Sequence, residues 1–140
     1  MNRSFINGAL RSGWLYFTGM ILITSAYWQS GFTKAFDFAG GQGEMAHFGL
    51  NPPAFFAIGT IIIQLGASAL MIFGKRLTWL GAVILGVFTF ATIPIAHAFW
   101  KLQGQEAVTE RMFTNANLTI IGGLVLAAIA AELRYGPSGG

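Results

Sequence analysis

Four stretches of the chain are apolar for long enough to cross a bilayer, whose hydrocarbon core takes roughly 20 helical residues. The pattern places them at about Gly13 to Thr33, Pro53 to Phe73, Leu77 to Trp100 and Met112 to Ala131. The expected architecture is all-α, an integral membrane four-helix bundle occupying 1–140 as a single domain. The tail 132–140 lies beyond the last span, and its Gly-Pro-Ser-Gly-Gly end is expected to be disordered.

Polar residues recur inside these spans at intervals of four. Ser25, Gln29, Thr33 and Asp37 form one such row, Thr60, Gln64 and Ser68 a second, and Arg111, Asn115 and Thr119 a third. Spacing of four places side chains on neighbouring turns, so each row is expected to face the bundle interior or an aqueous edge rather than lipid. Gln64 needs a partner for its amide in such a setting, and an interhelical hydrogen bond is one way to supply it. Gly66, Ala67 and Ala69, then Gly81, Ala82 and Gly86, offer close helix approach.

Between the first two spans the chain reads AGGQGEMAHFGLNPP. The early glycines predict a hinge, and Glu44 to Phe48 a short amphipathic turn with Met45 and Phe48 inserted in the membrane. Gly49 suits a C-cap, and Asn51-Pro52-Pro53 a helix start. Arg3 and Arg11 precede an apolar run that is longer than the roughly 7–15 residues of a signal-peptide core, so a retained helix is expected.

The third span ends TFATIPIAHAFW, with Pro94, His97 and Trp100 in its last turns. His97 is the one ionisable side chain within a long apolar segment, which makes it the best catalytic candidate. It either donates to a carbonyl at the helix end or handles a ligand's proton. Trp100 marks the headgroup layer.

Only 9% of the residues are charged, against roughly 25% in soluble domains. The net charge of +3 comes from scattered residues, which excludes a nucleic-acid surface. There is no cysteine and no nucleotide-binding motif. His47, His97 and Glu44 match no metal-ligand spacing, so no metal site is expected.

Arg3, Arg11, Lys75, Arg76 and Arg134 fall on one side of the membrane and Lys34, Lys101 and Arg111 on the other. That bias favours cytoplasmic termini. Gln29, Lys34, Asp37, His97, Trp100, Arg111, Asn115 and Asn117 then collect at the outer edge as ligand-binding candidates. They form either a polar cap on helix ends or a donor-rich pocket for an anion or a carbonyl-bearing molecule such as a quinone.

GFTKAFDF, GLNPP, FGKRLTW, AHAFW and NLTIIGG, in this order, resemble the DoxX family from roughly Gly13 to Ala131. Gly31, Lys34, Gly49, Gly74, His97, Asn117, Gly122 and Gly123 match its pattern. The resemblance implies a four-helix bacterial inner-membrane protein, a membrane subunit of a quinone-linked system like thiosulfate:quinone oxidoreductase. It carries no intrinsic cofactor and works with another subunit or as a homo-oligomer. A non-catalytic accessory or scaffold subunit is the alternative. Members often carry a glutamate where this chain has Gln64 and a lysine where it has Ala116, and joint loss of both is expected if the two pair.

Overall fold

The computed structural model describes residues 3–137, and every regular element among them is helical. The helices are α1 (Arg3–Arg11), α2 (Gly13–Ile23), α3 (Ser25–Phe36), α4 (Phe38–His47), α5 (Pro53–Phe73), α6 (Thr78–Ala96) and α7 (Gly104–Tyr135), with 3-10 turns at Lys75–Leu77 and Phe99–Lys101. Ser138 to Gly140, the end of the tail expected to be disordered, lie outside the described residues. Three helical stretches are long and apolar enough to cross a membrane: Pro53–Phe73, Lys75–Lys101 and Gly104–Tyr135.

The first expected span is realised as two helices in tandem. Thr24 separates α2 from α3, but its hydroxyl and its backbone N–H both donate to the Met20 carbonyl, at 2.7 and 3.2 Å. The Trp28 indole donates across the break to the Ile21 carbonyl at 3.3 Å. The inward face runs through the break unshifted, on Met20, Thr24, Tyr27, Gly31 and Lys34. Their alternating spacing of four and three averages one position per turn and stays on one face.

That face is not the row expected from the sequence. Gln29, Thr33 and Asp37 are exposed. Each step of four overshoots a full helical turn by about 40°, so a row of four such residues drifts roughly a third of the way round. The Arg111–Asn115–Thr119 row on α7 is exposed for its whole length, so it lies on the outward side of that helix from its first residue. The row on α5 turns inward, with Gln64 and Ser68 buried.

The expected hinge is a helix. Asp37 caps α4, accepting from the Gly40 N–H at 2.9 Å. Gly41 is buried against the stem of Lys34, where a Cβ would stand 3.4 Å from that side chain. Gly41 therefore serves close approach between α3 and α4 rather than freedom. Gly49 follows α4 with φ of 73°, as a helix stop requires. The third span ends early: α6 stops at Ala96 and His97 caps it, its N–H bonded to the Ile93 carbonyl at 2.9 Å.

The fourth begins at Gly104, eight residues before Met112. Its first turns are polar and include Glu106, which complements the helix N-terminus. An apolar-run criterion misses such turns because they stand in water. At 32 residues the helix is roughly 48 Å long.

The core sits at one end of the bundle. Met20, Ala67, Met71, Ala82, Leu85 and Leu124 pack together from four helices, with Ile23, Ile72 and Ala127 against them. Gly81 brings α6 onto α5 so closely that a Cβ would lie 2.6 Å from the Ala67 carbonyl. Exposed aromatic belts mark both ends, with Trp14 and Trp79 at one and Trp100 at the other.

Candidate functional site

Beyond that core the bundle opens into a cavity of about 660 Å³. Volumes of a few hundred to a thousand Å³ are those of small-molecule sites. The walls are mainly Phe55, Phe56, Ile63, Phe88, Ile95 and Ile120, and α4 contributes Glu44 and Met45. A small set of polar side chains interrupts this apolar surface.

Lys34 points inward at 8% exposure. A buried ammonium must be paired, and Lys34 donates to Ser30 Oγ at 2.8 Å and to Glu44 Oε2 at 2.9 Å. The Glu44 contact ties α4 to α3. Tyr27 is hydrogen-bonded to Thr89, linking α3 to α6, and the Thr89 hydroxyl donates to the Leu85 carbonyl at 2.7 Å.

His97 sits where α6 ends. Its Nδ1 lies 2.6 Å from Glu110 Oε2, while its carbonyl accepts from the Thr114 hydroxyl at 3.3 Å. Both contacts come from α7, so the first turns of that helix fix the imidazole. Carboxylate on Nδ1 sets that nitrogen as the donor and leaves Nε2 for another partner.

Gln64 is 6% exposed, lines the cavity, and its Oε1 has no hydrogen-bond partner. An unsatisfied amide in a protein interior costs roughly 1–3 kcal/mol. A water or a ligand atom in the cavity could supply the missing bond.

Of the residues expected at the site, Lys34, His97 and Asn117 line this cavity. Gln29, Asp37, Trp100, Arg111 and Asn115 do not; all five are exposed. Asp37 is spent as the α4 cap, and the Arg111 guanidinium lies 5.2 Å over the Phe99 ring at the rim. Ala116 is exposed on the outside of α7 and absent from the lining, so a charge there would not meet position 64 in the cavity. The pairing expected of those two positions does not fit this geometry.

Sequence reasoning missed Glu110 and Thr89, and weighed Glu44 only as a metal ligand. The available signal was charge: Glu44 and Glu110 lie in the two segments that join the spans at the His97 end. No group of three or more His, Asp or Glu among the described residues comes together as a metal site, and His47 packs instead on Phe48, ring centroids 5.3 Å apart.

A family model described as DoxX matches residues 17–98, more than half of the chain. That segment holds Lys34, Glu44, Gln64 and His97; Glu110 and Asn117 follow it. No curated protein and no solved structure matches the chain.

Proposed function

The chain belongs to the DoxX family and is a multi-pass membrane protein, and from that premise we propose that its cavity binds a lipid-soluble ligand of the quinone class. The bundle then acts as the membrane subunit of a quinone-linked redox system. The observation that carries this is Gln64, a buried amide with an unmet hydrogen bond in the wall of a largely apolar cavity. An aromatic ligand with oxygens at its two ends suits Lys34, Gln64 and His97 as polar contacts and Phe56 and Phe88 as ring contacts.

In this reading α2 and α3 together make a fourth span, the termini are cytoplasmic and the cavity lies in the outer leaflet of a bacterial inner membrane. The chain supplies binding, orientation and a proton-handling imidazole. Electrons require a partner subunit or a carrier.

The test is direct binding of a short-chain benzoquinone to the protein in lipid nanodiscs, by calorimetry. Saturable binding that weakens about tenfold in Gln64→Leu, the loss of one buried hydrogen bond, is expected. No binding by wild-type protein in either redox state of the ligand would remove the quinone reading.

A second reading has its own observation. Asn115, Thr119 and Gly122 form an exposed polar and small-residue row on the outside of α7. Lipid disfavours such a row and a neighbouring transmembrane helix favours it. This supports a scaffold role through another subunit or a second copy, checked by co-purification in mild detergent and its loss in Asn115→Leu.

A further inference from the structure

Among the described residues α1 is the one α-helix that buries nothing, and of the other helices only α2, which follows it, packs against it. Its sequence is nevertheless two-sided. At about 100° per residue, Phe5, Ile6, Ala9 and Leu10 fall on one half of the helix and Arg3, Asn7 and Arg11 on the other. Phe5 and Leu10 stay 73% and 68% exposed. A lone helix of nine residues is marginal in water, so a further apolar partner must hold that half.

The junction after α1 is fixed in place. Ser12 caps α2, accepting from the Leu15 N–H at 3.1 Å, and Arg134 near the end of α7 donates to the Arg11 carbonyl at 3.1 Å. Arg76, in the turn before α6, donates its Nε to the Tyr135 carbonyl at 2.9 Å. These bonds gather Arg11, Lys75, Arg76 and Arg134 at the end where exposed Trp14 and Trp79 mark the headgroup layer. Arg3 is a fifth cation there, and the one acidic side chain among them is Glu132. At the other end Lys34, Lys101 and Arg111 meet four acids, Asp37, Glu44, Glu106 and Glu110. The side chains of Arg3, Arg11 and Lys75 are exposed and form no hydrogen bond or ion pair among the described residues.

We propose that α1 lies in the plane of the membrane surface with its apolar half sunk among the acyl chains, and that α1 and the cations beside it bind anionic phospholipid headgroups. The membrane is the partner because a single residue, Ser12, separates α1 from the apolar α2. Charge decides the headgroup: each basic side chain at the surface favours anionic lipid by about fivefold. The long stems of Arg3, Arg11 and Lys75 can lift their charges to the phosphates. The inference does not depend on what fills the cavity.

The chain has no cysteine, so Ala9→Cys on the apolar half and Asn7→Cys on the polar half each place a single bimane label. The full chain is reconstituted in vesicles of equal parts phosphatidylcholine and phosphatidylglycerol, with quenching bromines on the acyl chains of one lipid or of the other. Stronger quenching at position 9 than at position 7 is expected, with phosphatidylglycerol enriched about fivefold over phosphatidylcholine around position 9. The triple variant Arg3→Gln, Arg11→Gln, Lys75→Gln keeps the Arg76 and Arg134 bonds that hold this end together. It is expected to bring the enrichment below about twofold, as is high salt with the three cations in place.

Equal quenching at the two positions overturns the insertion of α1, and a face covered by another protein would read that way. Equal quenching by the two lipids overturns the charge selection. Enrichment that survives the triple variant overturns the role of these three cations, and enrichment indifferent to salt overturns its electrostatic origin.

Discussion

At one end of the bundle Gly81 lies against the Ala67 carbonyl, and Met71, Leu85 and Leu124 are almost wholly inaccessible. At the other end the same helices, α5 and α6, line a cavity of about 660 Å³. The difference lies in side-chain size at the contact. Alanine and glycine on α5 and α6 let the backbones meet at the closed end, whereas Phe56, Ile63, Phe88 and Ile95 face the space at the open one. In lipid there is no hydrophobic drive between helices, so close packing of this kind is what holds the bundle. The closed end thus supplies the stability, and the open end carries the unsatisfied and ionic groups that a ligand site needs.

If that division holds, damage to the closed end costs stability, and damage to the open end costs binding. The largest effect is expected from Leu124→Ala, about 3 kcal/mol lost to the cavity it leaves, measured by unfolding in a graded SDS series. Gly81→Ala follows at about 2 kcal/mol, since the added methyl meets the backbone carbonyl of Ala67 and not a yielding side chain.

At the open end Glu44→Gln strips the counter-charge from buried Lys34. The loss is expected to be about 1–2 kcal/mol, less than for a fully buried pair because Glu44 is half exposed. Gln64→Leu is the sharpest contrast: unchanged or slightly improved stability in the same SDS series, together with about tenfold weaker ligand binding. Arg111→Ala, at the rim over Phe99, is expected to change stability by no more than about 0.5 kcal/mol and binding not at all.

Parts of both ends were legible in the sequence. The spans and the close approach at Ala67, Gly81 and Ala82 follow from hydropathy and small residues, and the gathering of Lys34, His97 and Asn117 at the open end follows from the up-and-down order of helices. What the sequence hides is rotation. Rows at spacing four look aligned on paper, yet Gln29 and Asp37 drift to the outside, and Asn115 lies on a row that faces out throughout, while Tyr27, Gly31 and Lys34, at spacings of four and three, stay in. Hydropathy also overlooks helical turns that stand in water, which is why the start of α7 and its Glu110 read as loop. Glycines 40, 41 and 43 read as a hinge because composition shows conformational freedom, and only Lys34 packed on Gly41 shows the close approach that freedom permits.

The length of α7 sets a boundary condition on the whole molecule. At roughly 48 Å it overshoots a hydrocarbon slab of about 30 Å by several turns, more than ordinary tilting absorbs. Some of it must therefore project beyond the acyl chains, and its acidic first turns are the cheapest part to expose. The carboxylate that grips His97 then sits at the water line, and its height above that line changes with the thickness of the host membrane. Reconstituting the protein in short- and long-chain lipids would move that tide mark past Glu110 without altering a single residue.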